Sequence, residues 1–314
     1  MIAAFAPATV SNVAAGFDVL GFALDEPGDV VAAALRDEPG VAIVDIVGDG
    51  GRLTRDPAKN TAGSAVEALL AMLGTSRGIA LTIHKGLPLA SGIGSSGASA
   101  VAAVVAVNEL LGRPASIDLV FRAAMAGERA GCGAAHPDNV APALFGGFVL
   151  ARSADPPDIV RLPVPAGLSC AVLHPHLEVQ TGAARALLGD TLPLQTAVRQ
   201  WANLGALVSA LHTGDLALLS RALVDHVAEP KRASLVPGFA EVKAAAAQAG
   251  ALGCSLSGSG PSIFALARSL DEARAVGAAM AAAFRAAGSG VEADLCVSAV
   301  GTTGARVVAS GEPR

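Results

Sequence analysis

The sequence predicts an α+β fold built from two domains. The chain has 314 residues, about twice the length of a typical domain. Residues of hydrophobic type make up 52% of it, enough for a large core. Segments with the composition of strands cluster at the start, and helical and strand patterns are mixed after them. This grouping favours an α+β architecture over a doubly wound sheet, in which strands and helices alternate.

In the first half, short runs rich in Val, Ile, Leu and Phe predict strands, and apolar residues at helical spacing predict helices. Asn60 is a candidate cap for the first helix and Ser116 for a later one. The predicted strands are 17–24, 30–35, 41–47, 79–85 and 146–151, and the predicted helices are 61–73, 100–111 and 117–130.

The second half follows a turn or short linker at 154–158, which contains two prolines and two aspartates. We therefore place a domain boundary there, which divides the chain into 1–155 and 156–314. Beyond it we predict strands at 159–164 and 168–173, helices at 183–188, 194–211, 216–227 and 239–248, a strand–turn–strand unit at 254–267, a helix at 271–287 and a strand at 292–300.

Composition excludes several classes of protein. The net charge is −5 and no block of Lys or Arg occurs, which argues against binding to nucleic acid or to an anionic membrane. No apolar run reaches the roughly 20 residues that span a bilayer, and the first residues lack the basic start of a signal peptide. The four cysteines are far apart and form no C-x-x-C pair, which predicts reduced, buried thiols and a cytoplasmic location; they are Cys132, Cys170, Cys254 and Cys296.

The segment 88–99 is the most informative feature, a Gly/Ser-rich loop that leads into an apolar helix. Small residues let the backbone close around a ligand, and a helix start presents free N–H groups that favour phosphate. The loop contains G-x-G-x-x-G at 92–97, but no second strand with an acidic residue follows, so we exclude a dinucleotide site. It also lacks the lysine of the Walker loop.

Three further clusters carry polar residues that suit a ligand site: 11–18, Glu128 with 136–139, and the second Gly/Ser loop 257–262. A carboxylate such as Glu128 suits Mg²⁺, and the loop hydroxyls of Ser95, Ser96 and Ser99 suit phosphate or Mg²⁺. Each cluster also fits an ordinary structural role as a turn, a helix end or a hairpin. A zinc site of His136, Asp138 and His174 or His176 is a weaker alternative, because the spacing is loose.

Taken together, these clusters resemble the homoserine kinase branch of the GHMP small-molecule kinase family, over nearly the whole chain. APATVSN at 6–12 with GFDVLG at 16–21 resembles the first family motif, PLASGIGSS at 88–96 the phosphate loop, and SGSGP at 257–261 the third motif. The homoserine branch is indicated by HPDNVAP at 136–142 with two glycines at 146–147, and by AEPKR at 228–232 with PGF at 237–239. Ile93 and Gly97 depart mildly from the commoner Leu and Ala of the loop.

The resemblance implies a first domain similar to domain 2 of ribosomal protein S5, a ferredoxin-like second domain, and transfer of the γ-phosphoryl of ATP to the hydroxyl of L-homoserine. Ser96 and Glu128 would hold Mg²⁺, and Glu128, Asn139 and Ser96 would serve catalysis. ATP would contact Asn60, Lys85, Pro88, Leu89, Ala90, Ser91, Gly92, Ile93, Gly94, Ser95, Ser96, Gly97 and Ser99. Homoserine would contact Asn12, Asp18, His136, Asp138, Asn139, Thr181, Arg185, Arg232 and Gly258.

One position differs from many GHMP kinases, which place a catalytic aspartate eleven residues after the metal-binding glutamate. Here that residue is Asn139, as in the homoserine branch, and an amide cannot usefully accept a proton near neutral pH. We expect Asn139 to orient the substrate hydroxyl by hydrogen bonding, with the proton lost late to phosphate or solvent. The planar guanidinium groups of Arg185 and Arg232 suit the carboxylate of an amino acid.

Two alternatives stay open at this point. One is a GHMP kinase acting on another small alcohol, such as a sugar, mevalonate or a cyclitol. The other is a ligand sensor on the same fold without catalysis. By the same resemblance we expect a homodimer, with small molecules as its other partners. The segment 301–314 matches no motif that we can interpret.

Overall fold

The computed structural model describes residues 1–309, with residues 131 and 132 described by their backbone alone. Within this range the chain forms two sheets and a set of covering helices. The strands are β1 (Ile2–Ser11), β2 (Leu20–Arg36), β3 (Gly40–Val47), β4 (Gly78–His84), β5 (Phe148–Ala154), β6 (Pro157–Leu162), β7 (Ser169–Pro175), β8 (Gly253–Leu256), β9 (Ile263–Ala267), β10 (Ala293–Ala299) and β11 (Arg306–Val308). The helices are α1 (Thr61–Met72), α2 (Ser95–Leu110), α3 (Ile117–Cys132), α4 (Pro137–Phe145), α5 (Thr181–Ala186), α6 (Leu194–Thr213), α7 (Leu216–Ala222), α8 (Glu229–Arg232), α9 (Phe239–Gln248) and α10 (Leu270–Ala286), with 3₁₀ turns at Pro57–Lys59 and Ala233–Leu235.

The first sheet has seven strands in the order β11-β1-β2-β4-β3, and the β5–β6 hairpin pairs with the start of β2. All its pairs are antiparallel except β3 with β4. Helices α1, α2 and α3 pack together, and α2 lies directly on β1 and β2. Alanine and valine fill the buried faces of α2, so this helix can approach the sheet closely. Its first residue, Ser95, bonds Lys85, which directly follows β4.

The second sheet has the antiparallel order β10-β7-β9-β8 and is covered by α9 and α10. Its core contains Phe239, Met280 and Phe284 from these helices, packed against Leu173 and Ile263 of the strands. The β8–β9 connection, residues 257–262, leaves this sheet and reaches the phosphate loop of the first one. The functional pocket therefore takes residues from both halves of the chain.

Most predicted elements are confirmed, including α9 at its exact limits, but the start of the chain differs. No strand is predicted at β1, because its Ala- and Pro-containing sequence is buried on both faces and shows no alternation of polar and apolar residues. The predicted strands 17–24 and 30–35 are parts of one strand, β2, which begins only at Leu20 and continues through its polar centre because β1 pairs along it.

Three further segments differ from the sequence-based expectation. Residues 137–145, where no helix is predicted, form α4, which begins with Pro137 at its first position. The predicted helix 216–227 ends at Ala222, and the short helix α8 follows separately. The uninterpreted tail contributes β11, which pairs with β1; residues 310–314 lie outside the described residues.

The turn predicted at 154–158 is the hairpin turn between β5 and β6, and both strands belong to the first sheet. A division of the chain into two domains at residue 155 would cut this hairpin. We therefore propose that the division lies between Leu162 and Ser169, where the chain passes from the first sheet to the second.

The cysteines that the structure describes have free thiols. Cys170 and Cys254 are buried, and burial raises the pKa of the Cys254 thiol to about 12; Cys296 is only partly buried. The side chain of Cys132 lies outside the described residues. Across residues 1–309, no helix has the length and apolar character needed to cross a membrane.

Candidate active site

Most of the predicted site residues line one pocket of about 480 Å³. The predicted residues that line it are Asn12, Asp18, Asn60, Lys85, Leu89, Ala90, Ser91, Gly92, Gly94, Ser95, Ser96, Ser99, Glu128, His136, Asp138, Asn139, Thr181, Arg185, Arg232 and Gly258. Three predicted loop residues, Pro88, Ile93 and Gly97, are not part of the lining. Ser11 and Ser259, from the predicted clusters 11–18 and 257–262, also line the pocket. The lining that sequence analysis missed is Leu53, Thr54, Lys59, Thr61, Ile83, Val179, Gln180 and Gly182.

The phosphate loop is anchored by three successive carbonyl groups, those of Ser91, Gly92 and Ile93. Their hydrogen-bond donors are the Ser262 N–H at 3.2 Å, the Ser257 hydroxyl at 2.6 Å and the Thr9 N–H at 3.0 Å. In a trans peptide the following N–H points opposite to the carbonyl, so the N–H groups of residues 92–94 face away from these anchors. None of these N–H groups has a partner within residues 1–309, and the free N–H groups of the first turn of α2 follow them. The backbone thus forms an anion-binding cradle.

Glycine is required at two positions of this loop by backbone angle and by space. Gly92 and Gly94 have φ angles of +79° and +69°, in the left-handed region that other residues avoid. A Cβ atom at Gly92 would lie 2.6 Å from the Gly260 carbonyl, and one at Gly94 would overlap the Thr9 hydroxyl. The loop therefore fits closely between β1 and the β8–β9 connection.

Lys85 is predicted as a ligand contact, but its ammonium group is bound within the protein. It forms an ion pair with Asp29, which is fully buried, and donates to the Ser95 carbonyl at 3.0 Å and to the Ser99 hydroxyl at 2.9 Å. Asp29 also accepts the Ser99 hydroxyl and the N–H groups of residues 86 and 87. This network supports the first turn of α2 from behind. Sequence analysis missed Asp29 because a charged residue within a strand carries no motif.

The three loop hydroxyls expected to face phosphate or Mg²⁺ are not equivalent. The Ser99 hydroxyl donates to Asp29 at 2.6 Å and the Ser95 hydroxyl to the Leu87 carbonyl at 3.4 Å, so both are used inside the protein. Only Ser96 places its hydroxyl on Glu128, at 2.9 Å from Oε1. Among the loop hydroxyls, the structure thus singles out Ser96.

Glu128 lies near the end of α3 and is only 3% exposed. Its Oε1 accepts the Ser96 hydroxyl and lies 3.6 Å from His136 Nδ1, whereas its Oε2 is buried and has no partner within the described residues. The Glu128 carboxylate raises the pKa of His136, assisted by the charge of Asp138 and opposed by burial. One carboxylate oxygen is therefore available to a cation or a donor in the pocket.

Asp138, in the first turn of α4, is the second buried carboxyl group of the pocket. Its Oδ2 accepts the Asn12 N–H at 3.3 Å, and its Oδ1 has no partner within the described residues. Burial, with repulsion from Asp18, raises the pKa of Asp138 to about 7, although His136 and the Asn12 N–H act in the opposite direction.

Three buried side-chain atoms lack a hydrogen-bond partner within the described part of the chain, and all three belong to this pocket: Glu128 Oε2, His136 Nε2 and Asp138 Oδ1. Buried polar groups are normally paired, since leaving one unpaired costs about 1–3 kcal/mol. Their concentration at one place indicates that a polar ligand completes the site.

Two arginines from the second half of the chain close the opposite side. Arg185 donates to both carboxylate oxygens of Asp18, at 2.7 and 2.8 Å, and remains partly exposed. Arg232 is 3% exposed, donates to the Gly258 carbonyl at 3.0 Å, and has a pKa lowered by burial. Both guanidinium groups lie about 5.5 Å from the ring centroid of Phe17, a contact that sequence analysis missed.

Asn12, Asn60 and Thr181 also line the pocket, but the two asparagines have clear structural roles as well. Asn12 bonds the Gly258 carbonyl and the Asp18 N–H, and so holds the bend 11–18 in place. Asn60 caps α1 through its Oδ1 and bonds the Thr54 carbonyl through its Nδ2. Thr181 begins α5 and is exposed.

Within residues 1–309, no group of three His, Cys, Asp or Glu side chains forms a metal site. The zinc alternative is wrong on geometry, because His174 bonds the Ser262 hydroxyl and His176 bonds Asp294 instead of joining His136. Mg²⁺ is different, since it is commonly held by one or two protein oxygens together with substrate phosphates. The unpaired Glu128 oxygen and the Ser96 hydroxyl fit that donor set.

Comparisons with known proteins identify the family of this chain. Residues 60–147 match the family model of the GHMP kinase N-terminal domain, and residues 207–286 that of the GHMP kinase C-terminal domain. A homoserine kinase of Chlorobium phaeobacteroides is 50% identical, with 98% of this chain and 99% of the relative covered. One of Xanthomonas campestris is 41% identical, with 98% and 94% covered.

Solved structures give the same result. The crystal structure of homoserine kinase from Cytophaga hutchinsonii has a TM-score of 0.94 and 51% identity to this chain, with 98% and 97% of the two chains covered. A mevalonate kinase of L. major in complex with R-mevalonate has a TM-score of 0.70 at 18% identity, with 94% and 95% covered, and is similar in fold alone.

Proposed function

The chain belongs to the homoserine kinases of the GHMP kinase family, and on that premise we propose that its pocket transfers the γ-phosphoryl group of ATP to the hydroxyl of L-homoserine. The products are ADP and O-phospho-L-homoserine, and the reaction is a step of threonine biosynthesis. The predicted two-domain α+β fold is confirmed by this membership. The observation that carries the reaction is one pocket that joins a phosphate cradle, three unpaired polar atoms and two arginines.

The cradle and the residues around it provide for ATP. The free N–H groups of the loop and the positive end of the α2 dipole would bind the triphosphate. The lining near Asn60 and Thr54 would face the nucleoside. Lys85 would act indirectly, since its ammonium group holds the Ser95 carbonyl and so fixes the first turn of the helix.

We propose that Mg²⁺ accompanies ATP and is held by Glu128 and the Ser96 oxygen. When bound, the ion neutralises phosphate charge and polarises the transferred group. Glu128 is suited to this role because its buried Oε2 has no other partner within the described residues and its other oxygen is held by Ser96. His136, 3.6 Å from Glu128, orients that carboxylate.

The charged groups on the far side suit a zwitterionic amino acid. A carboxylate of the substrate would be held by Arg185 and Arg232, and its ammonium group by Asp18 and the free oxygen of Asp138. Without substrate, Arg185 and Asp18 bind each other. In the complex, the substrate carboxylate would take the place of Asp18 at Arg185, and the substrate ammonium group would take the place of Arg185 at Asp18. Mevalonate has a carboxylate but no ammonium group, so on displacing Asp18 from Arg185 it would leave Asp18 unpaired. A sugar has neither charge and would make no ion pair with these groups, so the arrangement favours homoserine over both.

Phosphoryl transfer through a loose transition state depends mainly on position and charge neutralisation. No carboxylate occupies the position of the usual family base, and Asn139 stands there instead. We propose that the hydroxyl loses its proton late, to a phosphate oxygen or solvent, while the Asn139 amide orients it.

We also propose a cytoplasmic homodimer. The reduced thiols and the use of ATP suit the cytoplasm. The dimer is an expectation from the family resemblance, and an apolar stripe on α6 offers a surface for it: Leu194, Val198 and Trp201, spaced i, i+4, i+7, are each more than half exposed. Sedimentation of the wild type and of Trp201→Glu tests the dimer and its proposed surface, since the wild type should be a dimer and the variant a monomer.

The experiment that tests the function is ADP release by purified protein with ATP, Mg²⁺ and L-homoserine. Controls omit the acceptor or replace it by mevalonate or galactose. Release that depends on homoserine supports the proposal. Activity with another alcohol alone would keep the fold and contradict the substrate, and ATP binding without turnover on any acceptor would favour a sensor.

A further inference from the structure

Thr9 of β1 is a fully buried residue that joins the phosphate loop to Asn139. Its backbone N–H donates to the Ile93 carbonyl at 3.0 Å, and its hydroxyl donates to Asn139 Oδ1 at 2.8 Å. A Cβ atom at Gly94 would overlap the same hydroxyl. Thr9 therefore touches both the cradle proposed for the transferred phosphate and the residue proposed to face the acceptor hydroxyl.

The hydrogen bond to Thr9 decides which way the Asn139 amide points. The Asn139 oxygen is the acceptor that the described residues offer to the Thr9 hydroxyl proton. If the amide were turned over, the Thr9 proton would be buried without an acceptor, which is unfavourable. The Asn139 Nδ2 group makes no hydrogen bond within residues 1–309, and the side chain lines the pocket. The amide thus presents its N–H₂ group to the pocket.

We propose that Thr9 is a positioning residue for the reaction: it fixes the Asn139 amide so that a hydrogen-bond donor, not an acceptor, faces the oxygens that exchange the phosphoryl group. This inference rests on the proposed function and deepens it. A donor can hold the acceptor hydroxyl through its oxygen or stabilise a phosphate oxygen, and it adds no negative charge beside the triphosphate. The same orientation excludes Asn139 as a proton acceptor.

A double-mutant cycle between Thr9 and Asn139 tests the proposal. Thr9→Val keeps the shape and removes the hydroxyl, whereas Thr9→Ser keeps a hydroxyl at this position. Ser169→Ala is a matched control, because it removes a buried hydroxyl whose one partner within residues 1–309 is the Gly167 carbonyl. We expect Thr9→Val to lower kcat about tenfold with little change in either KM, because a correctly oriented donor is lost in the transition state. Thr9→Ser should recover most of kcat.

In the Asn139→Ala background, Thr9→Val should cost less than about twofold further, because the group that it positions is already gone. Equal losses in both backgrounds, or no loss at all, would overturn the proposal. Asn139→Asp offers a separate test: it keeps the oxygen that Thr9 bonds and replaces the donor by a charge. Turnover should fall, and unchanged or raised turnover would show that the pocket needs an acceptor at this position.

A readout that does not need turnover separates this inference from the proposed function. The ¹⁵N side-chain amide signals of Asn139, assigned by their loss in Asn139→Ala, should shift in Thr9→Val and stay unchanged in Ser169→Ala. Unchanged signals in Thr9→Val would overturn the role of Thr9 even if homoserine is phosphorylated. If the wild type showed no homoserine-dependent turnover but the signals shifted in Thr9→Val as expected, the proposed substrate would be contradicted and the role of Thr9 would not.

Discussion

Replacing Asp138 by asparagine should change how the stability of the protein depends on pH. Burial raises the pKa of this carboxyl to about 7 from its ordinary 3.8. Between these values the folded state binds a proton that the unfolded state releases, so the free energy of unfolding falls as pH rises. The amide of the Asp138→Asn variant would carry no titrating proton, would keep an oxygen for the Asn12 N–H, and would remove this decline.

The size of the effect follows from the difference between the two pKa values. Between pH 3.8 and about 7, each rise of one pH unit lowers the free energy of unfolding by about 1.4 kcal/mol, or by about 4 kcal/mol in all. About 2–3 kcal/mol of this loss falls between pH 5 and pH 8. His136 contributes in the same direction, since its raised pKa gives stability that is present below the ordinary 6.5 and lost as pH rises through the folded value. The part of this contribution that comes from Glu128 should remain in the variant, whereas the part that comes from the charge of Asp138 should be lost.

Urea unfolding followed by circular dichroism at pH 5 to 8 measures this directly, with the exposed Asp118→Asn as a matched control. The wild type and the control should lose at least about 2–3 kcal/mol of the free energy of unfolding over this range, and Asp138→Asn clearly less. Parallel profiles for Asp138→Asn and the wild type would refute the reasoning. Turnover is assayed separately, because Asp138 is also proposed to bind substrate.

Three further substitutions test other parts of the site. Glu128→Gln should lower kcat/KM about a hundredfold and raise the Mg²⁺ concentration needed, because a neutral oxygen replaces a buried carboxylate; near-normal turnover would remove Glu128 from the site. Asp29→Asn should lower the free energy of unfolding by about 3 kcal/mol or more, since Lys85 would be left buried without its counter-ion, and an unchanged urea midpoint would contradict this. Gly94→Ala should raise the KM for ATP, whereas Gly112→Ala, which shares a positive φ angle but meets no neighbouring atom, should not; equal effects would show that backbone strain alone is responsible.

The secondary structure was predictable where local chemistry is decisive. Asn60 and Ser116 cap helices at the expected residues, and the phosphate loop leads into α2 as its glycines and serines suggest. β1 could not be predicted in this way, because its residues owe their strand conformation to pairing with β2 and burial on both faces. The same holds for β11, which exists through its pairing with β1.

For the site, the motif residues were predictable and most of their supporting contacts were not. Ser96, Glu128 and Asp138 belong to recognisable motifs, and the fold brings them together. Asp29 belongs to no motif, and Thr9 lies within the first motif without any role that its position there indicates. Asp29 nevertheless bonds Ser99, which is 70 residues away in the sequence, and Thr9 bonds Asn139, which is 130 residues away.

The sequence by itself determined the family, the α+β class and the list of groups able to bind ATP, a cation and an amino acid, because these depend on residue type and local spacing. Only the tertiary structure decided how each group is used. It bound Lys85 to Asp29, left one oxygen of Glu128 without a partner in the described part of the chain, and turned the Asn139 amide toward the pocket. The physical reason is that a polar group's role depends on which partners burial leaves it, and those partners come from distant parts of the chain.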